Sequence, residues 1–133
     1  MRRKLTVGKR RGAVAVEFAL TAPFLFLILF GALELGHANM VFNVTEAAAY
    51  EAAREGIVPG STANECRFAA QRVLEISRIR DAQIEVTPSD LATESDDVQV
   101  TISVPYVRNT IVAPFFTRGL NIRRSCVLTR EQI

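Results

Sequence analysis

The side chains whose type and position invite a chemical reading are Glu17, His37, Cys66, Cys126 and the pair Asp96-Asp97. Glu17 is the sharpest of them, because it is the only charge between Ala13 and Leu33. A carboxylate inside an apolar run of membrane length costs a few kcal/mol or more, depending on depth, and marks function. It is also the fifth residue after Gly12, behind the basic doublet Arg10-Arg11. The plain alternative is a side chain that snorkels to the near membrane face without any partner.

The other candidates carry less. His37 is the single histidine of the chain, and nothing stands near it at metal-ligand or nucleophile spacing, so it reads as an interfacial polar residue. Asp96-Asp97 opens a strand after a polar loop; a calcium role and a solvated turn both fit, and the turn is the simpler. The sequence holds no glycine-rich phosphate loop, no paired CxxC and no G-x-S-x-G. The expectation is a non-enzyme with no cofactor and no metal site.

The elements that would position these residues follow from periodicity. The chain has 133 residues and a net charge of +2, which conceals an asymmetry. Arg2, Arg3, Lys4, Lys9, Arg10 and Arg11 all precede the apolar run. Residues 13–33 at about 1.5 Å each span roughly 30 Å, enough to cross a hydrocarbon core. The basic cluster then places the N-terminus in the cytoplasm and the C-terminal domain outside. It needs no nucleic acid to explain it. The competing reading, a cleaved secretory signal, has its best site after Ala38, but the apolar run is longer than such signals use.

Leu35, Ala38, Phe42, Thr45, Ala49, Ala52 and Gly56 recur at spacings of three and four. Asn39, Asn43, Glu46, Tyr50 and Arg54 take the opposite side. One helix from Ala13 to about Glu55 is expected, bent at Pro23, with its first half in lipid. The small residues Ala47, Ala48, Ala49, Ala52 and Ala53 would let another element approach closely, or simply favour helix. Thr62 and Glu65 have capping-box spacing, which starts a second helix running to about Arg80. Its apolar face would be Cys66, Ala69, Ala70, Val73 and Ile76.

Beyond Asp81 the period becomes two. Ile84 and Val86 form one short strand, Val98, Val100, Ile102 and Val104 the clearest one, and residues 122–130 a third with Ile122, Cys126 and Leu128 on one face. Val107 to Gly119 reads as a loop or a short helical turn whose Phe115-Phe116 pair either anchors it to the core or contacts a partner. The fold class is α+β: a long N-terminal helix, a second helix and a small antiparallel sheet. Cys66 and Cys126 fall on faces that should pack together. A disulfide there would close a loop of about 60 residues, worth on the order of 4 kcal/mol; two buried free thiols fit the pattern equally well.

The run RRGAVAVEFALTAPFLFLILFGALELG, from Arg10 to Gly36, resembles the start of TadE-like proteins of the tight-adherence pilus system. AAREGI (Ala52 to Ile57) and the valine-alternating strand before a proline- and phenylalanine-containing loop are similar to the same family. The resemblance implies a pilin-like pseudopilin or minor pilin in the bacterial inner membrane, with other pilin subunits, pilus-assembly membrane proteins and the lipid bilayer as partners. It also implies a prepilin peptidase cutting between Gly12 and Ala13. The domains would then be a basic cytoplasmic leader (1–12), a transmembrane helix (13–33) and an extracytoplasmic α+β domain (34–133). Cleavage would free an amine at Ala13 that the Glu17 carboxylate of another subunit can pair with. Ala13 departs from the bulky aromatic first residue common in other type IV pilins. The alternative from a different class is a membrane-anchored extracytoplasmic binding module that never enters a filament.

Overall fold

The computed structural model describes residues 8–89, 91, 97–111 and 113–130. The first part of the expected leader, residues 1–7, lies outside these. Helix α1 runs from Gly8 to Gly56, 49 residues, with Pro23 inside it. At 1.5 Å per residue it is about 70 Å long. It begins at Gly8 rather than Ala13, so Gly12 and Ala13 are both helical.

The two halves of α1 differ in everything but backbone. From Val14 to Phe30 the large apolar side chains are exposed all round the helix. From Ala38 on, one face is buried: Ala38, Val41, Thr45, Ala48, Ala49, Ala52 and Ala53 are covered. The alanines let neighbours come close, and the neighbours belong to the same chain. Ala47 faces outward.

Helix α2 spans Ala63–Ile76 and starts with the expected capping box. The Thr62 hydroxyl accepts the Glu65 N–H at 3.3 Å, and the Glu65 carboxylate accepts the Thr62 N–H at 2.7 Å. This satisfies two of the free donors at a helix start. The helix stops short of Arg80, because Arg78 turns into the left-handed region at φ 56°. There the Ile79 N–H reaches the Leu74 carbonyl at 2.9 Å, the longer bond of a Schellman motif. The buried face is Ala63, Cys66, Ala70 and Leu74, while Ile76, expected inside, is exposed. At about 100° per residue Ile76 falls roughly 200° round the helix from Leu74, on the side away from that face.

Strands β1 (Gln83–Thr87), β2 (Asp97–Pro105) and β3 (Asn121–Thr129) form an antiparallel meander in the order β1-β2-β3. The strict alternation of β2 is realised: Val98, Val100, Ile102 and Val104 are all fully buried. Register sets Val100 opposite both Val86 and Cys126, and Val104 opposite Ile122. A 3-10 turn, Tyr106–Arg108, follows β2. Helix α1 packs on β2, β3 and α2; α2 packs on α1 and β1. The core lies between this helical layer and one face of the sheet.

Two contacts lock the far end of α1. A Cβ placed on Gly56 would stand 2.7 Å from Val98 Cγ1 and 3.0 Å from Cys66 Sγ, so only glycine lets helix, strand and α2 meet there. Arg130 donates to the Gly56 carbonyl from Nε at 3.1 Å and Nη2 at 2.8 Å, and to the Leu91 carbonyl at 2.6 Å. A guanidinium on a helix C-terminus both fills an orphan carbonyl and complements the helix dipole.

Candidate functional site

Glu17 lies in the exposed half of α1, on the same bare surface as Val14, Val16, Phe18 and Leu20. Its carboxylate makes no hydrogen bond or ion pair among the described residues. The Thr21 hydroxyl donates to its backbone carbonyl at 3.0 Å, a bond that leaves the side chain free to face outward. Gly12 stands five residues earlier on this helix, and no atom comes within 4 Å of a Cβ placed on it. Sequence and helix together therefore present a lone carboxylate on an apolar rod.

A second carboxylate, which the sequence did not flag, organises the other end of that rod. Glu34 is only 4 % exposed. Its Oε2 accepts the Phe115 N–H at 3.1 Å, and its Oε1 accepts the Phe116 N–H at 3.0 Å and the Thr117 N–H at 2.7 Å. The Thr117 hydroxyl donates to Oε1 as well. Burial pushes this carboxyl up, but the Thr117 hydroxyl and the three backbone donors outweigh it and hold the group down from 4.5 to about 2. One ionised side chain thus clamps three consecutive residues of the β2–β3 loop onto α1.

The clamp has a companion. Tyr106, 1 % exposed, donates its hydroxyl to the Glu34 backbone carbonyl at 3.0 Å. His37 Nδ1 lies 3.2 Å from the same hydroxyl oxygen. The hydroxyl has one proton and spends it on the carbonyl, so Nδ1–H is the donor to the tyrosine oxygen. Burial, and then the Glu34 charge, raise the Tyr106 hydroxyl above its ordinary range. His37 is therefore a structural partner of Tyr106. The Phe116 ring completes the junction by lying over Gly31, where a Cβ would come within 3.0 Å of it.

The expected apolar face of α1 was right from Ala38 onward and one residue off at its start. Leu35 is 58 % exposed and Glu34 is buried in its place. The physical reason is the loop: it supplies hydrogen-bond donors at that position, and donors select a carboxylate over a leucine. Phe115 and Phe116 are not core anchors. They are 75 % and 56 % exposed, and meet each other edge to face at 5.1 Å between centroids.

Cys66 and Cys126 are free thiols, one of the two arrangements left open on sequence. Cys66 lies at the α1–α2 contact beside Gly56 and Val98, and Cys126 lies on β3 opposite Val100. Helix α2 sits toward β1, and β3 is at the other edge of the sheet, so the two apolar faces share a core without bringing these sulfurs into a bond. Burial raises both thiols above their ordinary range, with Glu46 adding to the effect at Cys126. Raised thiols are poor nucleophiles.

Of the remaining candidates, Asp96 lies outside the described residues. Asp97 accepts a hydrogen bond from the Thr129 hydroxyl at 2.7 Å, a cross-strand role. Among the described residues no group of three or more His, Cys, Asp or Glu converges as a metal site would require. Arg124, on the inner face of β3, stacks on Phe42 with its guanidinium carbon 3.4 Å from the ring centroid. That cation–π contact ties β3 to α1.

Among the described residues the one histidine meets only the buried Tyr106 hydroxyl, which already donates to a backbone carbonyl. The arrangement is a rod with a carboxylate near one end, seated in a small domain by a second carboxylate at its middle. The rod is long and apolar enough to cross a membrane. Comparison with curated proteins and with solved structures returns no match. Residues 12–54 match the family model described as TadE-like protein. That stretch lies wholly within α1, opens on Gly12 and contains both Glu17 and Glu34. The long helix of this chain is therefore similar to the TadE-like family over those residues, and the match does not extend to α2 or the sheet.

Proposed function

We propose that this chain is a minor pilin, or pseudopilin, of a tight-adherence pilus: a single-span inner-membrane protein whose α+β domain stands outside the cytoplasm. The observation that carries the reading is the bare half of α1, apolar on every side and interrupted only by Glu17. Such a surface is stable in lipid or against other apolar helices, not in water. The TadE-like match over the same residues supplies the context of a pilus.

In this reading a prepilin peptidase cuts between Gly12 and Ala13. Both residues are helical, so the peptidase unwinds the start of α1, and Gly12 is the weakest helix former in its neighbourhood. The new amine of Ala13 pairs with Glu17 of a neighbouring subunit when the helices bundle. Each charge makes the other tolerable in a low-dielectric bundle, and removing either strands its partner. The domain then contributes subunit contacts, and the partners are other pilins and the membrane proteins that assemble them.

Substitution of Glu17 tests this directly. Glu17→Ala is expected to leave membrane insertion and the fold of the domain intact while abolishing recovery of the protein with sheared pili. Undiminished incorporation of that variant would remove the assembly role from Glu17.

A further inference from the structure

The β2–β3 loop meets α1 at a telling height. The Phe116 ring covers Gly31, and Phe115, Phe116 and Thr117 are bonded to Glu34. The apolar run ends at Leu33. The aromatic tip therefore sits about 3 Å, two helical residues, inside the end of the expected span. On another flank of the same helical turn, Ile111 is 80 % exposed and lines an apolar groove with Leu33, His37, Met40 and Tyr106. Phe115, Phe116 and Ile111 thus border α1 at the level where the membrane would end, with their apolar surfaces outward.

A loop cannot enter lipid with unpaired N–H groups. Here the amides of the aromatic tip are already spoken for: all three N–H groups from Phe115 to Thr117 donate to one carboxylate. The negative charge of Glu34 is enclosed by those donors rather than offered to solvent. The next residue, Arg118, is exposed, and a long cationic side chain at this height reaches lipid phosphates while its stem stays in the apolar layer.

We propose that Phe115, Phe116 and Ile111 form a lipid-contacting collar that dips into the outer leaflet around α1 and fixes how far the domain stands above the membrane. The proposal rests on the membrane-spanning reading of α1. The collar and α1 are joined through Glu34, so the domain is held at one height and one tilt. The occupant is a lipid surface, and the experiment below separates it from a second copy of the chain.

The sequence has no tryptophan, so a single introduced indole reports its own surroundings. The full chain is reconstituted in phosphatidylcholine–phosphatidylglycerol vesicles with brominated acyl chains, carrying Phe115→Trp, Phe26→Trp or Phe68→Trp, each checked for a wild-type circular dichroism spectrum. Phe26 lies in the bare half of α1, and Phe68 is exposed on α2. The expected result is strong quenching by bromolipid at positions 26 and 115, a blue-shifted emission at both, and no bromolipid quenching at 68. Quenching at 26 with an iodide-accessible, unquenched reporter at 115 overturns the collar and leaves the span standing. A reporter at 115 shielded from both bromolipid and iodide means a second copy covers the loop, and also overturns it. Absence of quenching at 26 removes the span, and the collar with it.

Discussion

The two halves of α1 are one continuous helix with opposite requirements. The half from Ala38 to Gly56 gives its alanine face to its own sheet and to α2, down to a glycine that two neighbours touch. The half from Val14 to Phe30 gives its surface to nothing among the described residues. The first is finished by folding; the second is finished only by lipid or by other helices. The changeover falls between Gly31 and His37, where Glu34, Tyr106 and the Phe115–Thr117 loop gather. Helix propensity cannot draw this distinction, because both halves are good helix. Burial draws it.

The sharpest way to break the contrast is at the changeover itself. Glu34→Ala removes the acceptor of three backbone N–H groups and a hydroxyl at once. The expected outcome is loss of amide-exchange protection across residues 115–117, with α2 and β2 much less affected, read by hydrogen exchange on the detergent-solubilised protein. The same clamp carries a pH signature. The Glu34 carboxyl is depressed to about 2 from 4.5, so its stabilisation is complete above about 4.5 and is lost as pH falls toward 2. An acid series should show loop protection failing within that window, and Glu34→Gln, which cannot ionise, should flatten that dependence.

Within the finished half, Gly56→Ala should destabilise the domain by about 1–3 kcal/mol, the usual cost of overpacking. The added methyl meets Val98 and Cys66, both fully buried. Chemical denaturation of the domain reads this, while membrane insertion of the bare half should not change. A Gly12→Ala control should leave stability near wild type, since a Cβ there meets nothing.

The smallest effect belongs to the outer face of the sheet. Arg123 and Glu85 approach to 3.7 Å with both side chains about two-thirds exposed. Exposed pairs of this kind contribute roughly 0–1 kcal/mol. Arg123→Ala should therefore leave the denaturation midpoint almost unmoved, and a large loss would mean that this face is covered in the assembled protein.

Much of the architecture was legible in the residues. The Thr62–Glu65 capping box and the alternation of β2 are local signals, and local physics carried them through. The long helix was legible too, because alanines and apolar residues repeat at its period. What escaped were partnerships across long sequence separations. Tyr106 bonds Glu34 from 72 residues away, and Thr117 from 83. Arg130 reaches Gly56 across 74. No periodicity encodes such pairs. A usable signal for Glu34 did exist: stepping back from Thr45 through Val41 and Ala38 by three and four lands on it rather than on Leu35. An acid in line with a buried face asks for donors, and the loop supplies them. Glu17 was legible for the opposite reason, since its oddity is local. The residues left a disulfide and two free thiols equally open, because a shared core does not say whether two sulfurs are adjacent; the structure has the free thiols.

The central claim is that the bare half of α1 is processed and used as a pilin helix. The most direct test is the N-terminus of the membrane-extracted protein, by intact mass and terminal peptide mapping, with and without a prepilin peptidase. A start at Ala13 that depends on the peptidase is the expected result, and it makes the amine available to Glu17. A start upstream of Gly12 in the presence of the peptidase would contradict pilin-type processing, and a start near Asn39 would contradict the membrane helix itself.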